Sequence, residues 1–253
     1  MNATAKLGAL RDPEEGSADP KQAASEVLAG RPGVAARRWL GPTVLVVLAL
    51  FAIDTYLVVA QKLLVPFDIP IARFIQQINW GPVVYVFQLI DVSAGIWQVL
   101  IGAVAVVALF IFERRAGWLM LIGSLSSLFD NIIKLVISRQ RPPADIVHIL
   151  SPTTGFSYPS GHAVFFTWMS FMLAVIIAPK IRPAFRTILW IMAALVIVLT
   201  CLARVWAGDH WPSDVIGGVL LGVGWSAFVL WLPERWLPSP SFRWFRRRAQ
   251  ATP

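Results

Sequence analysis

Three short blocks in the second half of the sequence carry the residue types best suited to chemistry. They are Lys134 with Arg141 and Pro142, the run Pro159-Ser160-Gly161-His162, and Arg204 followed by His210 and Asp214. Together they supply three cations, two histidines, a carboxylate and a serine–glycine turn. Cations attract an anion, while a histidine beside a carboxylate serves as a nucleophile or a base. If the blocks meet in the fold, they predict a site for a phosphate group.

The third block indicates a nucleophile. His210 and Asp214 are four residues apart, so at the start of a helix they share a face and can hydrogen-bond. A carboxylate on one ring nitrogen fixes the tautomer and leaves the other nitrogen free to attack. We therefore predict that His210 is the attacking group and that Asp214 orients it.

The second block predicts a helix N-terminus that faces an anion. Ser160 and the backbone N–H groups of Gly161 and His162 would stand at the positive end of that helix. His162 would protonate the departing oxygen. The phosphoryl oxygens would be held by three cations, namely Lys134, Arg141 and Arg204. We expect no metal ion and no cofactor, because these cations would take the electrostatic role that magnesium has in other phosphoryl transferases.

The composition places these blocks in a membrane protein. Hydrophobic residues make up 57% of the 253 residues and charged residues only 14%, whereas a soluble domain carries about 25% charged residues. These fractions exclude a disordered chain, a basic nucleic-acid-binding domain and an ordinary soluble domain. The single cysteine, Cys201, excludes an internal disulfide and a cysteine metal site.

Six apolar runs approach the roughly 20 residues that cross a bilayer. They are residues 43–64, 95–112, 117–137, 163–178, 188–202 and 215–232. Residues 69–93 place apolar side chains at helical spacing among polar ones, which favours an interfacial amphipathic helix over a further span. Gly218 and Gly222 predict close helix packing, either within the bundle or between protomers. We predict an all-α integral membrane protein with six transmembrane helices in a bundle.

The basic residues orient this bundle. With six spans, sixteen of the 22 Lys and Arg fall on the side that holds both termini, which the positive-inside rule makes cytoplasmic. The predicted parts are a flexible cytoplasmic tail at 1–40, a six-span domain at 41–235 with its core at 117–225, and a basic cytoplasmic tail at 236–253. All three blocks then emerge on the outer face. The sequence thus predicts an extracytoplasmic active site, which we assign to a bacterial inner membrane.

In this order and spacing, the three blocks resemble the three motifs of the type 2 phosphatidic acid phosphatase superfamily, in its membrane-bound lipid phosphate phosphatase branch. One departure is Ala203, where the third motif usually begins with serine, so the phosphate shell lacks one hydroxyl. The resemblance implies a metal-independent phosphatase that hydrolyses a lipid phosphomonoester or diphosphate through a phosphohistidine at His210. The implied substrates are undecaprenyl diphosphate, phosphatidic acid and phosphatidylglycerol phosphate.

Other functions use part of the same residue set. A non-catalytic binder or transporter of anionic lipid headgroups needs the cations but not the His210–Asp214 pair. A lipid phosphotransferase would use the same histidine and pass the phosphoryl group to another lipid instead of water. Vanadate-dependent oxidation would share the pocket, but the spans and a lipid-facing site disfavour it. The expected partners are a lipid phosphate and the bilayer, without nucleic acid, and the sequence leaves a homodimer open.

Five polar residues outside the blocks are predicted to have structural or peripheral roles. We expect Arg139 to extend toward the lipid headgroups and Asp130 to neutralise or position Lys134. Asp54, in the first span, is either protonated or paired inside the bundle, and a role in substrate gating stays open. Asp209 either tunes His210 or approaches a polar headgroup, and His148 lies on the surface or at the substrate rim.

Overall fold

The computed structural model describes residues 32–61 and 64–233, which form helices joined by turns and loops without any strand. The chain divides into two units, Met1–Trp39 and Leu40–Pro253, and every side-chain contact and cavity described below lies in the second. Most of the predicted 1–40 tail and all of the 236–253 tail lie outside the described residues. The α-helices in the described ranges are α1 (Pro32–Ala60), α2 (Asp68–Gln77), α3 (Val83–Val92), α4 (Ile96–Phe112), α5 (Arg114–Ser124), α6 (Ser126–Ile137), α7 (Gly161–Ile177), α8 (Pro183–Trp206) and α9 (Pro212–Trp231).

Five helical segments within these ranges are long and apolar enough to cross a membrane. They are Trp39–Ala60, Arg114–Ile137, Gly161–Lys180, Pro183–Trp206 and Pro212–Trp231. A sixth crossing exists only if α3 and α4, which meet at 86°, count as one bent span. The predicted all-helical membrane fold is confirmed, with five or six spans in the described part of the chain.

The region before the bend differs from the single interfacial helix predicted for residues 69–93. Two short helices, α2 and α3, occupy it, and Gly95 turns the chain between α3 and α4 with a φ of +59°, a value that glycine adopts without steric cost. Ala72 and Ile75 of α2 are buried against Val205 and Trp211. Helix α2 therefore packs on the bundle, where α8 ends and α9 begins, because its apolar positions three apart form one face.

Helix α7 lies at the centre of the bundle and packs against α6, α8 and α9. Its side chains Val164, Trp168 and Met172 are almost completely buried, as expected for a helix that is apolar on all sides. The first turn of α7 carries the predicted anion-binding residues, and its position is consequently fixed by packing against the surrounding helices.

Helix α9 reaches α7 closely because two of its residues have no side chain. A Cβ at Gly218 would lie 2.7 Å from Ala163 Cβ and 2.8 Å from the Ser160 carbonyl oxygen, and a Cβ at Gly222 would lie 2.8 Å from Thr167 Cβ. The small-residue pair thus packs within the bundle, which settles the alternative between internal and intermolecular packing.

Replacing Gly218 with alanine is expected to lower the melting temperature of the detergent-solubilised protein. The new Cβ would force α9 away from the start of α7, and overpacking of this kind typically costs about 1–3 kcal/mol. Gly102→Ala is the matched control, since the nearest atom to its Cβ would be at 3.4 Å, on the Phe165 ring. Equal melting temperatures for Gly218→Ala and the unsubstituted protein would contradict this close packing.

Candidate active site

The three sequence blocks meet around one cavity of about 500 Å³. The cavity is also lined by Gln98, by residues 152–154 and by Ala94 and Gly95 at the α3–α4 bend. Of the eight residues predicted for the site, six line the cavity: Lys134, Arg141, Gly161, His162, Arg204 and His210. The other two, Ser160 and Asp214, are completely buried.

Helix ends position most of these side chains. Lys134 lies in the last turn of α6, His162 in the first turn of α7, and Arg204 in the last turn of α8. His210 lies in the short turn between α8 and α9, which Gly208 makes with a φ of +78°. A Cβ at Gly208 would lie 2.2 Å from the His148 carbonyl oxygen, so glycine lets this turn pack against the loop after α6.

The His210 ring is held by its Nδ1 atom. Nδ1 lies 2.9 Å from the Ser157 carbonyl oxygen and 3.5 Å from Asp214 Oδ2. Both neighbours accept hydrogen bonds, so Nδ1 carries the proton and Nε2 carries the lone pair. Nε2 lies 3.4 Å from Arg141 Nη1. Burial lowers the pKa of His210 to about 3, which leaves a neutral imidazole at neutral pH.

The sequence predicted a direct bond between His210 and Asp214, yet the carbonyl of Ser157 is the nearer partner of Nδ1. Asp214 instead accepts hydrogen bonds from its own surroundings. The Ser157 hydroxyl donates to Oδ2, as does the Trp211 backbone N–H (2.7 Å), and Arg139 Nη1 donates to Oδ1 (2.5 Å). Asp214 therefore organises the turn around His210 as well as standing close to the ring.

The cations Lys134 and Arg141 are held in different ways. Lys134 Nζ donates to both carboxylate oxygens of Asp130 at 2.5 Å, in agreement with the predicted role of that aspartate. Arg141 donates to backbone carbonyl oxygens of Asp209 (2.8 Å), Gly155 (3.2 Å) and Thr154 (3.3 Å). The last two bonds are long, so an anion in the cavity can compete for those donors.

Arg204 lies between two carboxylates. Its Nη1 donates to Asp91 and its Nη2 to Asp209, while its buried Nε has no hydrogen-bond partner among the described residues. Asp209 also accepts a hydrogen bond of 2.8 Å from the Thr153 hydroxyl. The sequence left the role of Asp209 open, and the structure shows an ion pair that holds Arg204 at the cavity.

The first turn of α7 presents unpartnered polar atoms. Ser160 Oγ and His162 Nε2 are buried without a hydrogen-bond partner in the described ranges, while the Ser160 N–H donates to the Asp214 carbonyl oxygen at 3.0 Å. A Cβ at Gly161 would lie 3.3 Å from Lys134 Nζ and 3.1 Å from Asp130 Oδ2. Glycine at this position lets the lysine approach the positive end of the helix, so both can meet one anion.

The prediction for Arg139 was wrong. Its side chain is completely buried and pairs with Asp68 and Asp214 at 2.5 Å each, with its guanidinium carbon 6.0 Å from the centroid of the Trp211 ring. Two carboxylates compensate the cost of burying the charge. The sequence near Arg139 does not predict these partners, because they lie 71 and 75 residues away along the chain.

Asp54 and His148 lie away from the cavity. Asp54 is buried and accepts a hydrogen bond of 2.9 Å from the Tyr158 hydroxyl, so it is paired inside the bundle. His148 is exposed on the rim of a separate polar cavity next to Arg73 and Asp145. Asp68, Asp91 and Ser157 are further site-supporting residues that the sequence motifs do not contain.

The apolar helices are those of an integral membrane protein. Its candidate site is the cavity lined by cations and by His162 and His210. Residues 115–238 match the family model described as the PAP2 superfamily. The chain therefore carries a PAP2 superfamily domain, and the resemblance drawn from the three motifs is confirmed.

Two curated relatives illustrate the family. The chain is 31% identical over 133 residues to an undecaprenyl-diphosphatase of Sulfolobus acidocaldarius, covering 51% of this chain and 60% of the relative. It is 27% identical over 131 residues to a phosphatidylglycerophosphatase B of Bacillus subtilis, covering 49% of this chain and 63% of the relative. The matches thus span about three fifths of the length of these relatives.

A solved structure shares the fold. The crystal structure of a transmembrane PAP2 type phosphatidylglycerolphosphate phosphatase from Bacillus subtilis superposes with a TM-score of 0.62 and 23% identity. The match covers 74% of this chain and 94% of that chain. At this identity the likeness establishes the helical architecture.

Proposed function

We propose that this protein is a membrane lipid phosphatase that hydrolyses a phosphomonoester or diphosphate on a lipid. The observation that carries the proposal is the neutral His210, which is fixed through Nδ1 and lies with Nε2 3.4 Å from Arg141 Nη1 at a cation-lined cavity. A headgroup binder or transporter would need the cations but no oriented nucleophile. The names of the two curated relatives support a lipid substrate.

The cavity suggests a reaction in two steps. In the first, His210 Nε2 attacks phosphorus and forms an N–P bond while the bond to the lipid oxygen breaks. His162, protonated beside the bound phosphate, gives its Nε2 proton to that oxygen. In the second step, water gives a proton to His162 and attacks phosphorus, and the N–P bond breaks. The developing charge is held by Lys134, Arg141 and Arg204 without a metal ion.

A second cavity provides room for the lipid. It has a volume of about 570 Å³ and is lined mainly by apolar residues of α4, α5 and α7, among them Val106, Leu121 and Phe165. Gln98 and Gly161 line both this cavity and the polar one, so the two adjoin. A hydrocarbon chain in the apolar cavity would hold its phosphate against the cations.

The proposed active site faces outward from a bacterial inner membrane, with both termini in the cytoplasm. This orientation is supported by the sixteen basic residues that the six-span arrangement places on the side of the termini. The substrate classes proposed are an undecaprenyl-type diphosphate, phosphatidic acid and phosphatidylglycerol phosphate.

The purified protein is expected to release phosphate from at least one of these three lipids in detergent, with EDTA present throughout. His148→Ala is the control variant and should match the unsubstituted protein, because this exposed histidine does not line the cavity that holds His210. Activity that EDTA removes and magnesium restores would contradict the metal-independent mechanism. Binding of the lipids without any phosphate release would favour a headgroup binder, and transfer of phosphate to an added lipid would identify a phosphotransferase.

A further inference from the structure

A buried network of charged side chains lies on the Nδ1 side of the His210 ring, whereas Arg141 lies on the Nε2 side. Arg139 is at its centre and donates from Nη2 to Asp68 and from Nη1 to Asp214, each at 2.5 Å. The side chains of all three are completely buried. Ser213 joins the same network, since its hydroxyl accepts a bond of 2.7 Å from Arg139 Nη1 and donates to Asp68 at 2.8 Å.

Asp68 connects this network to a different part of the fold. It is the first residue of α2, and its carboxylate accepts bonds from the Ser213 N–H at 2.9 Å and from the Val65 N–H at 3.1 Å. The next turns of α2 pack through Ala72 and Ile75 against Trp211. Helix α2 thus holds the start of α9, and the turn that carries His210, at a fixed position.

The charges of the network do not cancel. One guanidinium is shared by two carboxylates, so a net negative charge remains, and Asp214 places it 3.5 Å from His210 Nδ1. Without the charge of Asp68, Arg139 would neutralise Asp214 in a one-to-one pair. Inside a protein, where charges are weakly screened, this change would reach the imidazole.

We propose that Asp68 and Arg139 are positioning residues for the nucleophile, with Asp68 acting through Arg139 and Asp214 on His210. This inference rests on the proposed phosphatase function. When the N–P bond forms and the bond to the lipid oxygen breaks, the His210 ring gains positive charge. The uncancelled carboxylate charge stabilises that ring, while substrate affinity is set by the cations that line the cavity.

Asp68→Asn tests the role of the charge. It is expected to lower kcat about tenfold or more, by analogy with removal of the charge that orients a catalytic histidine. The KM for the lipid and the competitive inhibition constant of inorganic phosphate should stay within about twofold, because the three cations are untouched. Rapid acid-free quenching should trap correspondingly less phosphoenzyme. Asp68→Glu, which restores the charge, should recover part of the lost kcat.

Glu113→Gln is the control, since it removes one partner of the Glu113–Lys180 ion pair, which lies near the other end of α7 and away from the cavity. An unchanged kcat for Asp68→Asn would overturn the proposal. An equal loss of kcat in Glu113→Gln would also overturn it. So would a loss of kcat in Asp68→Asn that comes with an equal rise in the inhibition constant of inorganic phosphate. If Asp68→Asn does not fold, Arg139→Lys replaces it, because a lysine keeps the charge but lacks the two separate nitrogens that reach Asp68 and Asp214. It should lower kcat, and an unchanged value would again overturn the inference. Inactive unsubstituted protein would instead count against the phosphatase function itself.

Discussion

His210→Ala is expected to abolish phosphate release, with a loss in kcat of at least about 10⁴-fold. The alanine removes the only atom that can form the N–P bond in the proposed first step. Burial lowers the pKa of His210 to about 3, so the ring is neutral at pH 5 and above. The imidazole is protonated, and the nucleophile lost, only as the pH falls through this pKa. Phosphoenzyme should therefore still form at about pH 5.

The measurement is retention of radiolabelled phosphate on the protein after rapid quenching, combined with steady-state phosphate release. A phosphohistidine is stable to alkali and labile to acid, which distinguishes it from a phosphoserine. His148→Ala serves as the control and should form normal amounts of phosphoenzyme. Labelled protein with unchanged turnover in His210→Ala would place the nucleophile elsewhere.

His162→Ala is expected to slow hydrolysis of a lipid phosphate by about 10²–10⁴-fold, the usual contribution of a general acid. The buried Nε2 of His162 lacks a hydrogen-bond partner in the described ranges and its ring lines the polar cavity, so it is placed to protonate a leaving oxygen. An alkoxide needs that proton, whereas p-nitrophenolate leaves without it. The loss measured with p-nitrophenyl phosphate should consequently be smaller by at least about tenfold.

The comparison of the two substrates gives this experiment its control, because a misfolded variant would lose both activities equally. Phosphoenzyme should still accumulate in His162→Ala with p-nitrophenyl phosphate, since His162 also serves as the base of the second step. Equal losses with the two substrates would show that His162 acts in binding or structure and not as an acid.

Local sequence was sufficient for the parts of this protein that depend on near neighbours. The length of the apolar runs and the placement of charges predict membrane helices. Each span must satisfy its backbone hydrogen bonds within its own helix and present apolar side chains to the lipid. The motif residues His162 and Arg204 lie at helix ends, where capping and breaking residues such as Pro159 and Gly208 are visible in the sequence. Asp130 and Lys134 pair as their spacing on one helix predicts.

The less regular region between α1 and α4 was harder to predict. Its apolar spacing is helical, but the break into α2 and α3 and the 86° bend at Gly95 depend on contacts with α8 and α9. Ala72 and Ile75 could equally face lipid headgroups or protein. Only the presence of Val205 and Trp211 decides in favour of protein.

The order of residues along the chain is enough to predict a membrane bundle, the three motifs and the cations and histidines of the site. What each charge faces depends on how helices distant in sequence pack together. Lys134 and Arg139 are both cations near the end of α6, yet the first lines the cavity and the second is buried between Asp68 and Asp214. A charge can be buried only where opposite charges and hydrogen bonds compensate the loss of water. Because these partners come from helices distant along the chain, no local pattern encodes the choice.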